Sequence, residues 1–242
     1  VIPLQGVFVH RADMFSDGAG AASRDKRTAR FREAMADPGI GSIVLNIDSP
    51  GGSVAGVMEA AAEVLAARDT KRVVAVADTL AASAAYWIAS AAGEIVVAPS
   101  GEVGSIGVIA AHEDLTAALE QQGIKVTLIA AGKYKTEASP FTALGEEARA
   151  AIQARVDEFY GAFVAAVAKG RVATPAAVRG GFGEGRVVGA AEAIKTGLAD
   201  RVGTLDETIG RLLGRKSAGA SAQDLAPSLE VRRYRLRLSS CA

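Results

Sequence analysis

The chain has 242 residues and a mass of 24.6 kDa, half of them apolar and 22% charged, which excludes a disordered chain. A chain of this length buries roughly 70–75% of its unfolded surface. Lys plus Arg and Asp plus Glu each number 27, so the basic excess usual in a nucleic-acid binder is missing. One Cys, Cys241, excludes an internal disulfide framework, and two His, at 10 and 112, are too few and too far apart for a His-based zinc site. No apolar run reaches the ~18–20 residues that span a bilayer. The chain begins at Val1 rather than Met, which leaves room for a removed leader or anchor.

Short apolar runs predict strands at 2–9, 42–47, 72–76, 94–98, 106–110 and 125–130. Helical patterns lie between them. Val54, Val57, Met58, Ala61, Val64 and Leu65 share one face after the turn Ser49-Pro50-Gly51-Gly52, and Leu115, Ala118 and Leu119 precede the helix stop Gly123. Ala148, Ile152, Val156, Phe159, Phe163 and Val167 recur every three or four residues, the apolar stripe of a long helix over 146–169. Gly180, Gly181, Gly183 and Gly185 follow a helix rather than a strand, so they read as a turn and not a dinucleotide loop. Thr174-Pro175 is a cap with proline in the first turn, and Thr204 with Glu207 forms a capping box for a last helix to about 213. Alternating strands and helices predict an α/β fold with mostly parallel strands over residues 1–214. Residues 215–242 carry six basic and two acidic residues, a net of +4, and read as a basic flexible C-terminal tail. Within it, 231–238 alternates Arg with apolar residues, a pattern compatible with adding a strand to a partner.

Two strand-to-helix junctions can carry chemistry. At Asp48-Ser49-Pro50-Gly51-Gly52 the glycines expose backbone N–H groups with no Cβ in the way of a ligand, and such groups can hold a developing oxyanion. About thirty residues on, Ser83 stands among Ala81, Ala82, Ala84 and Ala85, small neighbours that leave room for a substrate backbone. Alone, the first reads as an ordinary turn and the second as a helix cap. A serine nucleophile needs a base. The candidates are His10, His112, Lys125, Lys133 and Lys135; a lysine serves only if burial brings its pKa far below ~10.4.

Five ordered segments together resemble the S49 family of serine peptidases, which includes signal peptide peptidase A and the head-maturation proteases of tailed phages. They are Asp48 to Gly52, Ala81 to Tyr86, Gly104-Ser105-Ile106-Gly107-Val108, Gly132-Lys133-Tyr134-Lys135 with Pro140, and Gly185 to Gly189 followed by 193–206. The resemblance implies a ClpP/crotonase-like fold with flanking helices and a Ser–Lys dyad. In it Ser83 matches the nucleophile, Lys135 the general base, and Ser105 a serine that orients the lysine. The oxyanion hole it implies uses amides at Gly51 or Gly52 and at Ala84. No metal or cofactor is implied. Many members carry Ser-Gly-Gly at the nucleophile, where this chain has Ser83-Ala84-Ala85. The implied partners are a polypeptide substrate and further copies of the chain in a closed ring, with the dyad in several relatives shared between subunits.

The opening 1–6 and the run 109–115 look like the phage and prophage branch, whose implied substrate is a capsid, scaffold or portal protein inside an assembling head. In the other branch the substrate is a remnant signal peptide. The implied location is correspondingly the cytoplasm or an assembling phage head, and a membrane surface if an anchor has been removed. Two readings from other classes remain: a crotonase-like enzyme that stabilises acyl-CoA enolates without a serine nucleophile, and an assembly protein without turnover. Covalent labelling of Ser83 separates the first from a peptidase, and a peptide-cleavage assay separates the second.

Overall fold

The computed structural model describes residues 1–9 and 22–214, so His10 and the 215–242 tail lie outside the described residues. In chain order the first half runs β1 (Ile2–Gln5), β2 (Phe8–Val9), β3 (Ala22–Ser23), α1 (Arg24–Ala36), β4 (Ser42–Ser49), α2 (Val57–Ala67), β5 (Arg72–Ala82) and α3 (Ala84–Ser90). The second half runs β6 (Glu94–Val97), β7 (Glu102–Gly104), α4 (Thr116–Gln121), α5 (Glu146–Gly170), α6 (Pro175–Gly181), β8 (Val187–Gly189), α7 (Ala190–Thr196), β9 (Arg201–Val202) and α8 (Leu205–Leu212).

β1, β4, β5, β6 and β9 lie side by side in that order, all parallel, while β7 pairs parallel with the end of β5 and antiparallel with β8. The central strands are apolar on both faces because both faces are covered, as parallel sheets require. Ile43, Leu45, Ile47, Val73, Ala75, Ala77, Ile95 and Val97 face α2, α3 and α5 in the larger core. Val44, Val74, Val76 and Val96 face the other way, under Leu205 and Leu212 of α8. The expected capping box starts α8: Glu207 N–H donates to Thr204 Oγ1 at 3.2 Å and Thr204 N–H donates to Glu207 Oε2 at 2.8 Å. Thr174 likewise caps α6, accepting from Ala177 N–H at 3.1 Å.

Helix α3 is the hub of the larger core. All seven of its residues are buried, Tyr86 Oη donates to the Leu198 carbonyl at 2.8 Å, and Trp87 stacks on Phe163 of α5 with ring centroids 4.5 Å apart. Only the C-terminal half of the α5 stripe reaches this core. Phe163 and Val167 are buried, whereas Ile152, Val156 and Phe159 are half-buried.

Other expectations need correction. The predicted strand 2–9 breaks at Gly6 (φ 73°), and β5 runs six residues beyond the predicted end at 76. The predicted strands 106–110 and 125–130 do not form. Their apolar pattern is strand-like, but among the described residues no neighbouring strand offers them hydrogen-bond partners, and Ile109 and Ile129 are more than nine-tenths exposed. Among the described residues no helix is long and apolar enough to cross a membrane.

Candidate active site

The site sits at the C-terminal ends of β4, β5 and β7, the usual place for ligands in a parallel α/β sheet. A register shift prepares it. Ile47 is paired with Ala77, yet two residues later Ser49 is paired with Ala81, so β5 carries two extra residues around Asp78-Thr79-Leu80. Thr79 Oγ1 donates to the Asp48 carboxylate across this bulge. The shift advances the end of β5 so that the residue after Ala82 meets the turn leaving β4.

That residue is Ser83, half-buried, between β5 and α3. Its backbone has φ 52° and ψ −125°, a conformation that costs a non-glycine residue of order 1–3 kcal/mol and persists only where the surroundings enforce it. Two bonds enforce it: Ser83 N–H donates to the Gly104 carbonyl at 2.9 Å, and Trp87 N–H donates to the Ser83 carbonyl at 2.9 Å. Ser105, the residue after Gly104, is a second non-glycine residue at positive φ (55°), and its N–H donates to the Arg186 carbonyl at 2.7 Å. The ends of β5 and β7 therefore bring Ser83 and Ser105 together through the backbone.

Gly51 lies directly against the serine. At φ 98° it has no room for a side chain: a Cβ there would stand 2.8 Å from Ser83 Cβ and 2.9 Å from both the Ala82 carbonyl oxygen and the Ala84 nitrogen. Gly52 is equally confined on its other side, where a Cβ would meet the Phe8 carbonyl oxygen at 2.3 Å. Phe8 bridges Gly52 in the parallel sense, with Phe8 N–H donating to the Gly51 carbonyl at 2.7 Å and Ser53 N–H donating to the Phe8 carbonyl at 2.9 Å. In a trans peptide the C=O and the following N–H point opposite ways. The Gly51 carbonyl points to Phe8, on the β1 side, so the Gly52 N–H points to the β5 side, where Ser83 and Ala84 stand. The Gly51 N–H, in contrast, donates to Ser49 Oγ at 3.1 Å. Ala84, the first residue of α3, has no intrahelical acceptor for its own N–H.

The candidate bases sort by their partners. Lys133 Nζ donates to Tyr134 Oη at 2.8 Å and to Glu147 Oε1 at 2.9 Å, and these two contacts raise its pKa, which holds it protonated. His112 Nε2 donates to the Ser139 carbonyl at 3.1 Å and so ties down the exposed segment on which it lies. Lys125 is exposed in the segment that forms no strand. Lys135 is exposed in a turn, with its N–H donating to the Gly132 carbonyl at 3.1 Å, and its Nζ has no hydrogen-bond or ion-pair partner among the described residues. The backbone thus gathers Gly51, Gly52, Ser83, Ala84 and Ser105, while Lys135 stands on the exposed segment between β7 and α5.

Sequence reasoning missed Ser49, which is fully buried beneath the glycine turn, and the Arg186 carbonyl that holds Ser105. The Asp-Ser-Pro-Gly-Gly string holds the signal for the first; nothing local marks the second. An apolar pocket lined by Phe8, Phe31, Ser53, Val57 and Ile88 opens beside the glycine turn. No cluster of metal-ligating side chains occurs among the described residues.

A strained serine at a strand-to-helix junction, faced by a glycine turn in a parallel sheet, defines a class, and the chain belongs to it: residues 66–218 match the model of peptidase family S49. Among individual proteins, it is 37% identical over 157 residues to capsid assembly protease C of Escherichia phage lambda, covering 65% of this chain and 36% of that one. It is 35% identical over 202 residues to the head-tail preconnector protein GP5 of Enterobacteria phage P21, covering 84% of this chain and 40% of that one. The chain therefore spans about two fifths of the length of these relatives. A mutant of the 1510-N membrane-bound stomatin-specific protease shares the fold at TM-score 0.54 and 14% identity, covering 86% of this chain and 82% of that one. The fold is the expected ClpP-like α/β arrangement of a mostly parallel sheet with flanking helices.

Proposed function

We propose that the chain is a serine endopeptidase with Ser83 as nucleophile and Lys135 as general base. The observation that carries the reading is the packing of Gly51 against Ser83, where a Cβ would stand 2.8 Å from Ser83 Cβ, while the bond from Phe8 N–H to the Gly51 carbonyl leaves the Gly52 N–H on the serine's side. A neutral Lys135 amine takes the Ser83 Oγ proton as the oxygen attacks the scissile carbonyl. The carbonyl oxygen becomes an anion held by the amides of Gly52 and Ala84, while Gly51 supplies the space. Each such donor is worth roughly 2.7–4 kcal/mol in the transition state. The lysine returns the proton to the departing amine as the C–N bond breaks, and water hydrolyses the acyl-serine by the same route. Ser105 orients the lysine. The apolar pocket beside Gly52 takes an apolar substrate side chain.

The reading includes a closed ring of copies. Ile109, Ile124, Leu128, Ile129, Tyr134 and Phe141 lie exposed on the segment that carries Lys135, a run of apolar surface that a second copy would cover. Assembly would desolvate the lysine and so favour its neutral form. The substrate is a structural protein of an assembling phage head, because the phage relatives are a capsid assembly protease and a head-tail preconnector protein. A remnant signal peptide is the alternative the family allows.

The test is peptide cleavage together with labelling by a serine-directed phosphonate. Ser83→Ala and Lys135→Ala should each abolish cleavage in folded protein, His112→Ala should retain most of it, and kcat/KM should rise with pH as a lysine base loses its proton. An inactive His112→Ala beside an active Lys135→Ala would replace the dyad with a Ser–His mechanism. Mixing the two inactive dyad variants should restore partial activity if the site is shared. No recovery despite subunit exchange would put the dyad within one chain.

A further inference from the structure

Among the described residues three serine or threonine side chains are fully or almost fully buried: Ser49, Ser90 and Thr208. Ser90 and Thr208 bond back to carbonyls one turn earlier in the chain, Ser90 Oγ to Trp87 at 2.8 Å and Thr208 Oγ1 to Thr204 at 2.9 Å. Ser49 instead bonds across the fold. Its Oγ donates to the Gly6 carbonyl at 2.7 Å and accepts the Gly51 N–H at 3.1 Å. The Gly6 N–H donates in turn to the Asp48 carbonyl at 2.9 Å, and Phe8 holds the Gly51 carbonyl from the same side. One hydroxyl thus joins the kink between β1 and β2 to the glycine that lies against Ser83.

We propose that Ser49 is a positioning residue for the oxyanion-holding turn; the inference rests on the peptidase reading given above. Its geometry does two things. It occupies the Gly51 N–H, so that this amide is turned inward and the next one, at Gly52, is the amide left for substrate. It also fixes the Gly51 peptide from the N–H end, while Phe8 fixes the Gly51 carbonyl. With both ends of the glycine held, the direction of the Gly52 N–H is set before substrate arrives. Preorganisation of this kind acts on the transition state, because the oxyanion forms only there. Removing the hydroxyl leaves the Gly51 N–H and the Gly6 carbonyl without this partner, and the turn is then free to rotate by the few tenths of an ångström that spoil aim.

The experiment compares wild type, Ser49→Ala, Ser49→Cys and Ser83→Ala on a fluorogenic peptide that wild type cleaves. Rates are referred to phosphonate-titrated sites, and the affinity of a peptidyl boronate is measured alongside. The Cys variant leaves no cavity, being somewhat larger than Ser, and replaces a strong hydroxyl donor by a weak thiol, so it carries the test alone if the Ala variant does not fold. The expected result for both is a fall in kcat of about 10- to 100-fold and an equal loss of boronate affinity, with KM within about threefold of wild type. A kcat within about twofold of wild type in either folded variant overturns the inference, as does a rise in KM at unchanged kcat. If Ser83→Ala cleaves as fast as wild type, the peptidase reading itself fails. If Ser83→Ala is inactive and the Ser49 variants are fully active, only the role of Ser49 fails.

Discussion

Substitution of Gly51 by alanine tests the packing on which the site depends. The added Cβ would stand 2.8 Å from Ser83 Cβ and 2.9 Å from the Ala84 nitrogen, against about 3.4 Å or more in ordinary contact, so the Gly51 turn and the Ser83–Ala84 junction must part by about 0.6 Å. The φ of 98° adds backbone strain of about 1–3 kcal/mol. A displacement of this size at a reacting centre, where 1 Å costs about 100-fold, should lower kcat at least about 10-fold. Gly197→Ala is the control: its φ is 85°, but nothing lies within 4 Å of the new Cβ, so it takes strain without displacement. The assay is urea unfolding for stability beside peptide cleavage for kcat. Gly51→Ala should lose both, and Gly197→Ala should lose about 1–2 kcal/mol of stability and no activity. A Gly51→Ala enzyme with the wild-type kcat would refute the argument, as would an equal loss of kcat in both variants.

Gly170→Ala would drive a Cβ to 2.0 Å from the Ser90 carbonyl oxygen, so the junction of α5 with α3 should lose about 1–3 kcal/mol or more, read as a lowered urea midpoint. Val172→Gly should instead raise the midpoint, because Val172 is 89% exposed and held at φ 53°, a left-handed conformation that costs a residue with a Cβ about 1–2 kcal/mol. Burial pushes the Asp200 carboxyl up, but the hydrogen bonds from Arg171 and the Ile95 N–H outweigh it and hold it below the usual carboxylate range. A depressed carboxyl stabilises fully above its unfolded pKa, near ~3.9, and loses this as pH falls through the folded value, so Asp200→Asn should flatten the acid limb of a stability–pH curve. Deletion after Arg215 should leave kcat unchanged, since every motif of the proposed site precedes it, and light scattering should report whether the particle mass changes.

The legible parts of the sequence were those whose signal is local. The apolar runs of β4 and β6, the stripe of α5, the capping box of α8 and the two junctions at 48–52 and 83 are all written in a few consecutive residues. The end of β5 was not legible, because Asp78 and Thr79 interrupt its apolar run while the chain continues as a strand through the bulge. The Ser83–Gly51 contact depends on that two-residue register shift, a property of two strands together. Strand-like patterns at 106–110 and 125–130 misled for a related reason: β propensity becomes a strand only where a partner offers backbone groups. Ser49 was hidden in plain view, since a serine before Pro-Gly-Gly reads as a turn former, and its bond to Gly6 lies 43 residues away.

The contrast between α3 and the segment that carries Lys135 has a consequence for how the protein breathes. Amides of a helix buried on every side exchange with solvent only when the whole domain opens, whereas an exposed segment opens by itself. All seven residues of α3 are buried, while the backbone of residues 125–131 has no hydrogen-bond partner among the described residues. Ser83 therefore stands at the head of a helix whose amides should exchange slowly, and Lys135 beside a stretch whose amides should exchange nearly as those of a free peptide do. In the isolated chain, warming would scatter the lysine long before it disturbed the serine.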